Sequence, residues 1–320
     1  MKIDAVITWV DGNDPVHAAK RARFGTASQF KVSDVAGATR YAHIGEIFWC
    51  VASLNRFAPW LNKIYIVTDE QDPGLDDFMT ANFPEGHIPM EIVDHKVIFR
   101  DHEQYLPTFN SISIETMTWR IPGLSDCFIE FNDDLMLTAP VTPEDFFTED
   151  GRVVCYAEKS SILLTELTRK LKPVKYGIRP VTTKGSHVNG AKLAGNRFSY
   201  LRLTHCQKAL RRDFYDRYFT EHPEHMYRNI IHRFRHADQY TPQEVHYLTL
   251  LSQGKCVLRS AQKDFFYMIP KKKDGYFMSK LRKLESFKGK FACFNSIDLA
   301  TEEEQKLLIS WISKRLEINL

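Results

Sequence analysis

The sequence predicts an α/β fold, a mostly parallel sheet with helices on both faces. Three observations carry that expectation. Four short runs of β-branched and aromatic residues lie between positions 3 and 131, segments with helical apolar spacing separate them, and three of the runs break into an acidic turn. Parallel strands need a crossover long enough for a helix, so alternating strands and helices point to parallel pairing.

The elements follow in order. Residues 3–10, IDAVITWV, read as a buried strand that stops at the Asp11-Gly12-Asn13-Asp14-Pro15 turn. Ile44, Ile47, Phe48, Val51, Leu54 and Phe57 form one stripe of a helix over 44–57, and Pro59 follows its end. Residues 63–68, KIYIVT, are the second strand, followed by a polar run from Asp69 to Gly74. Residues 90–94 are a short third strand. The spacing predicts a helix over 111–121, stopped by Pro122-Gly123. Residues 127–131, CFIEF, are the fourth strand and run straight into Asn132-Asp133-Asp134.

The second half is less regular. Residues 173–197 are rich in Pro, Gly, Lys, Thr and Asn and read as a long loop, a place where function often sits. Residues 205–219, opened by His205, and 241–252 read as helices. Residues 264–290 interleave Phe265, Phe266, Tyr267, Tyr276, Phe277 and Phe287 with lysines and arginines, including Lys271, Lys272 and Lys273. That pattern suits a polyanionic acceptor, an anionic membrane surface or RNA, or else a solvated basic face over core aromatics. The final segment, 301–318, opens on Thr301 and Glu304, a capping box. No repeat or low-complexity linker divides the chain. One domain is expected over 1–320, with an α/β half over 1–150 and a helical and loop half over 151–320.

Bulk properties narrow the function. With 43% apolar residues the chain can bury a large core, and a net charge of +3 gives no general reason to bind nucleic acid. No apolar run approaches the ~20 residues that span a bilayer, and the N-terminus carries no cleavage-site pattern. Six scattered cysteines without a C-x-x-C pair read as buried thiols, so a cytoplasmic protein is expected. The H-E-x-x-H, G-x-S-x-G and P-loop patterns are absent, which removes zinc hydrolases, serine hydrolases and P-loop enzymes.

The strongest local signal is Asn132-Asp133-Asp134. Ligands of open α/β sheets sit outside the carboxyl ends of the strands, and adjacent carboxylates there need compensation. A divalent cation bridging a diphosphate supplies it; a solvated turn is the competing reading. Asp11 and Asp14, and then Asp69 and Asp72, repeat the acidic pattern at two further strand ends, where plain turn roles compete. Asn110 and Ser111 mark a helix start that could receive phosphate or serve as simple caps, and Glu115, one turn on, could orient a sugar hydroxyl.

Taken together, these segments resemble the Stealth family of sugar-phosphate transferases. The first block is IDAVITWVDGNDP, residues 3–15. The second runs from Arg40-Tyr41 through 58–60 (APW), 64–69 (IYIVTD), 106–111 (LPTFNS), 114–115 (IE) and 121–124 (IPGL) to Asn132-Asp133-Asp134. The third is His205 with the segment to Phe219 and then 232–235 (HRFR); the fourth is 291–295 (FACFN). The ordered set is far more specific than any single block.

The resemblance implies a Rossmann-like sheet similar to those of nucleotide-sugar transferases. The 1–150 half would bind the nucleotide-sugar and the 151–320 half would complete the active site. It places Asp11 and Asp14 at the donor edge, and Arg40, Asp133, Asp134, His205 and Arg235 in the active site. Asp133 and Asp134 would hold Mg²⁺ or Mn²⁺. Arg40 and Arg235 would clamp phosphate oxygens, His205 would serve as acid or base, and Asn132 would line the substrate site. The donor would be a UDP-linked hexose or N-acetylhexosamine, and the acceptor a glycan or polysaccharide phosphate in capsule synthesis, with peripheral membrane or capsule-assembly contacts at the inner membrane face.

Two departures stand out. Where the family helix usually carries two arginines, this chain has Phe48 and Ala52. Where the last block usually has Asp after Asn, it has Ser296, with Asp298 nearby. The rival functions are a metal-dependent glycosyltransferase releasing nucleoside diphosphate and a non-catalytic binder of polysaccharide or membrane.

Overall fold

The computed structural model describes residues 1–31, 41, 44–171, 174, 175, 177, 178, 181–271 and 275–320. Its centre is a five-stranded sheet in the order β3 (Met90–Asp94), β2 (Lys63–Thr68), β1 (Ile3–Thr8), β4 (Cys127–Asn132), β8 (Lys208–Arg211). The first four strands are parallel and β8 runs antiparallel to β4. β1, β2 and β4 are apolar nearly throughout because both faces of a parallel sheet are covered, whereas the edge strand β3 buries only Val93. Each buried Val or Ile there stabilises the fold by roughly 1.5–3 kcal/mol.

The register decides where a ligand can sit. Thr8 pairs with Val67 on one side and with Asn132 on the other, and Thr68 pairs with Asp94. All four carboxyl ends therefore stop at one edge. The chain leaves β1 for β2 and β3 on one side and returns on the other as β4, so the strand order reverses at β1. Such a switch point opens a crevice at the carboxyl edge. One buried acid in the sheet is structural: Asp4 accepts from Asn62 Nδ2 and from Ser125 N, both at 2.7 Å.

Beyond Asn132 the chain changes sheets. β5 (Leu135–Leu137) pairs antiparallel with β11 (Phe291–Phe294), which pairs parallel with β10 (Phe265–Met268). Ser53 on the Glu46–Phe57 helix fixes this step by receiving Leu137 N at 3.0 Å while donating to Cys50 O at 2.7 Å. A third sheet joins β7 (Ser199–Leu203), β6 (Val153–Ser161) and β9 (Cys256–Arg259). The second half is the more helical, as expected. The last helix, Glu302–Leu316, carries its Thr301–Glu304 capping box.

Three expected elements differ. Residues 173–197 do not form one loop, because Thr183–Leu193 is a helix capped by Thr182, whose hydroxyl accepts from Gly185 N at 3.0 Å. Its glycines permit close packing: a Cβ on Gly190 would lie 2.9 Å from Thr241 O and from Glu244 Cβ. Residues 205–219 are not one helix. His205 lies in a loop, Lys208–Arg211 extends the main sheet, and the helix is Arg212–Glu221. The segment 111–121 is a short helix, Ser111–Glu115, then a 3-10 turn at Thr118–Arg120. Thr116 follows the short helix, its hydroxyl donating to Ile112 O at 2.7 Å.

All six cysteines are buried thiols, as expected. Among the described residues no helix is long and apolar enough to cross a membrane. The described aromatics of 264–290 are buried or half-buried, so that segment is mainly core with a basic outer side. Lys272 and Lys273 lie outside the described residues.

Candidate active site

Two cavities open at the carboxyl edge of the sheet. The larger, about 420 Å³, is lined by the ends of β1 and β2 (Thr8, Trp9, Val67) together with Glu46, His95, Ser111 and Asp133. The smaller, about 260 Å³, is lined by Glu115, His187, His205, Lys208 and Gln243 among others. Asn132, Asp134, Arg235 and Asn295 line both, so they form the partition between them.

The β4–β5 turn presents the partition's carboxylate. Asp134 Oδ2 receives Asn295 Nδ2 at 3.0 Å and the Cys293 thiol at 3.4 Å. Its other oxygen, Oδ1, is buried without a hydrogen-bond partner, as is Asn132 Oδ1. Asp133 is pushed well above the usual carboxylate range by burial, by Asp134 and by Glu46. Asp298, on the same cavity, is raised by burial and then by Glu46. Unpaired acceptor oxygens and mutually repelling carboxylates fit a hard divalent cation, which takes oxygen ligands and one or two carboxylates. Asp133 and Asp134 would hold it, with Asn132 Oδ1 beside them. His222, Glu224 and His225 form a second group able to bind metal, but they line neither cavity.

Arg235 reaches the partition from the second half, and its Nη2 donates to Ser111 Oγ at 2.8 Å. His205 stands at the mouth of the smaller cavity with its ring 5.4 Å from that of Tyr267. Its pKa is lowered, chiefly by desolvation of its inner side; Asp134 opposes this, while Lys208, His187 and Arg235 reinforce it. A lowered pKa favours the neutral imidazole, the form that can accept a proton.

The same cavity carries a buried polar layer of which the sequence suggested only Glu115. Gln243 Nε2 donates to Glu115 at 2.9 Å and also to Glu130. Burial, with Glu115 beside it, pushes Glu130 up to about 8. Burial alone would lower Lys208, but Glu115 and Glu130 outweigh it and raise it. His187 lines the smaller cavity, and its Nδ1 meets the fully buried Glu244 at 2.9 Å, so a carboxylate outside the cavity lining orients its ring. These partners lie far apart in sequence, 57 residues for His187 and Glu244 and 113 for Gln243 and Glu130, so no local pattern announces them.

The remaining expected residues fall in three groups. Asn110 is fully buried, caps its helix by accepting from Ile112 N, and donates to His232 O and Gln239 Oε1. Neither cavity includes it. Asp11 and Asp14 sit at the same sheet edge but line neither cavity. Asp14 caps the Pro15–Phe24 helix and receives Gln71 Nε2 at 2.8 Å, and Asp11 receives Asn13 N at 2.8 Å. Asp69 pairs with Lys20 at 3.2 Å. Arg40 lies outside the described residues.

The two sequence departures have different settings. Phe48 packs edge-on against Phe78, and Ala52 is fully buried in a hydrophobic cluster that includes Trp49 and Phe294. Neither lines a cavity. Ser296 and Asp298 both line the larger one.

Comparison with known proteins places these features in context. Residues 1–29 match conserved region 1 of the Stealth proteins and residues 40–155 match conserved region 2. A receptor polysaccharide phosphotransferase of Streptococcus oralis, WefC, is 42% identical over 151 residues, which is 47% of this chain and 42% of that protein. A capsular polysaccharide phosphotransferase of Streptococcus pneumoniae, WcwK, is 42% identical over the same length and shares. An exopolysaccharide phosphotransferase of Streptomyces coelicolor is 32% identical over 259 residues, 80% of this chain and 41% of that relative. The chain thus matches only about two fifths of the length of these curated relatives. Among solved structures, the galactosyltransferase LgtC covers 96% of this chain and 95% of its own, at 11% identity and a TM-score of 0.45. A likeness that low carries nothing about the reaction.

Proposed function

This chain belongs to the Stealth family, and on that premise we propose that it moves a sugar 1-phosphate from a nucleotide-sugar to a glycan hydroxyl. The observation that carries the reading is the shared partition: Asp134 and Arg235 face both cavities at once. A donor on one side and an acceptor on the other would meet there, which is what a transfer between two bound substrates requires.

The larger cavity takes the nucleotide-sugar, with UDP-linked hexose or N-acetylhexosamine as the expected donor. Asp11 and Asp14 shape the donor edge through the turn they cap. A bound Mg²⁺ or Mn²⁺ would neutralise charge on the diphosphate, as cations do in phosphoryl transfer. Asp298 supplies a carboxylate close to where the family's last block usually has its own.

The smaller cavity takes the acceptor. Glu115, fixed by Gln243, orients the sugar hydroxyl. The hydroxyl oxygen bonds to the phosphorus that carries the sugar, and the bond between that phosphorus and the nucleotide's bridging oxygen breaks. The products are a phosphodiester and nucleoside monophosphate. His205 receives the hydroxyl proton. Arg235, held by Ser111, faces the phosphoryl oxygens, and Arg40 is assigned to the same clamp by family resemblance alone. The guanidinium fork matches that geometry and stabilises charge spread over those oxygens.

The test is incubation with a panel of UDP-sugars, Mg²⁺ and capsule oligosaccharides, followed by chromatography of the released nucleotide. Uridine monophosphate that appears only with acceptor and cation supports the proposal. Uridine diphosphate would indicate glycosyl transfer to the acceptor, and binding without turnover would indicate a non-catalytic glycan binder.

A further inference from the structure

Charge is unevenly distributed along this chain. Between Lys159 and Arg202 there are ten lysines and arginines and a single acidic residue, Glu166. That stretch alone carries +9 in a chain whose total is +3.

The same stretch exposes large apolar side chains. On and just after the Ile162–Lys170 helix, Leu163, Leu164, Leu167 and Leu171 are 67%, 65%, 52% and 84% exposed. At one turn per 3.6 residues these four leucines fall within an arc of about 100°. The helix is anchored on its opposite side, where Ile162 is buried and Thr165 Oγ1 donates to Tyr200 OH at 3.2 Å. Phe198, 86% exposed, lies next to the first turn of this helix, where Ile162 N donates to Phe198 O at 3.0 Å. Lys170, beside Leu163 on the helical wheel and next to Leu171 in the chain, and Arg197, next to Phe198 in the chain, are exposed. A soluble surface rarely gathers leucines into one such stripe.

We propose that the Ile162–Lys170 helix, with Leu171 and Phe198, is a membrane-docking face that lies on an anionic bilayer. The occupant follows from charge. A stripe of leucine and phenylalanine rimmed by Lys and Arg is the pattern of a helix lying in the interface, its apolar side among acyl chains and its cations among anionic headgroups. A protein partner would need an acidic, grooved surface to answer the same face. The docked helix borders the smaller cavity, since Arg169 on that helix lines it. The contact is independent of the transfer reaction, so vesicle binding and nucleotide release can succeed or fail separately.

The experiment is flotation of the full chain with vesicles of phosphatidylcholine alone or with roughly one third phosphatidylglycerol, at low and high salt. The expected result is binding to the anionic vesicles at least ~10-fold tighter than to neutral ones, weakened by salt. The paired change Leu163→Asp with Leu167→Asp lowers binding at least ~10-fold. Lys170→Glu with Arg197→Glu also lowers it and flattens the salt dependence. All four side chains are exposed, and an unchanged thermal midpoint checks the fold. Equal binding to both vesicle types, or variants that bind like the original, would overturn the proposal. So would light scattering that finds a dimer abolished by the leucine changes, which would assign the face to a second copy of the chain.

Discussion

The sheet edge and the helical wall facing it build one site by different means. At the edge, position follows from local sequence: a strand ends, and the next residues lie in the crevice. Asn132, Asp133 and Asp134 are there because β4 pairs with β1 through Thr8 and Asn132. On the wall, position follows from contacts between distant segments. His205, His187, Gln243 and Arg235 come from loops and helices placed by packing. The edge therefore tolerates little change in charge, whereas the wall tolerates little change in shape.

The sharpest way to break that contrast is to alter one residue on each side. Asp134→Asn should cost about 10³-fold in kcat, several kcal/mol of lost charge stabilisation, with the melting curve preserved. Restoration by excess Mg²⁺ would strengthen the assignment, and near-normal turnover in steady-state assays would remove it. His205→Ala should cost about 10²-fold, with the loss expressed in kcat more than in KM. If the wall is a matter of shape, Gly190→Val should destabilise the protein by roughly 1–3 kcal/mol, since its Cβ has 2.9 Å to Thr241 O and Glu244 Cβ. Chemical denaturation measures this, and no change in midpoint would mean that the two helices can part without cost.

Glu130 gives a pH test of the buried layer. Its folded pKa, about 8, lies above the ordinary 4.5 of the unfolded chain. Its contribution to stability is full below pH 4.5 and is lost as pH rises through about 8. Glu130→Gln should flatten this fall in the thermal midpoint, and identical pH profiles for the two proteins would contradict the assignment. The smallest effect is local. Thr301→Ala removes a hydroxyl that accepts Glu304 N at 3.2 Å and should cost ~1 kcal/mol without touching turnover.

The difference between edge and wall also explains what the sequence revealed. Strands at 63–68 and 90–94 were legible to the residue, because β-branched runs bounded by turns leave few alternatives. Asn132-Asp133-Asp134 was legible as a position at the sheet edge because its place depends only on the strand before it, and these residues do line the cavities there. The Thr183–Leu193 helix was not. Gly185 and Gly190 lower helix propensity, and the helix persists through its Thr182 cap and through Ser186 meeting Thr241 at 3.0 Å. The Lys208–Arg211 strand was hidden because four residues are too few to show alternation and its partner is β4. His187 was hidden with its helix, and its orienting Glu244 belongs to a helix that reads as ordinary core. For Asn110 the sequence left two readings open, phosphate binding and a simple cap, and the structure shows a buried cap outside both cavities.

The central claim is that the bond broken at the shared partition joins the sugar-bearing phosphorus to the nucleotide's bridging oxygen, not the anomeric carbon to the sugar–phosphate oxygen. A UDP-sugar labelled with heavy oxygen at the sugar–phosphate bridge tests this directly in the presence of acceptor and Mg²⁺. The account predicts the label in the product phosphodiester, with unlabelled uridine monophosphate released. Label recovered in uridine diphosphate would contradict it.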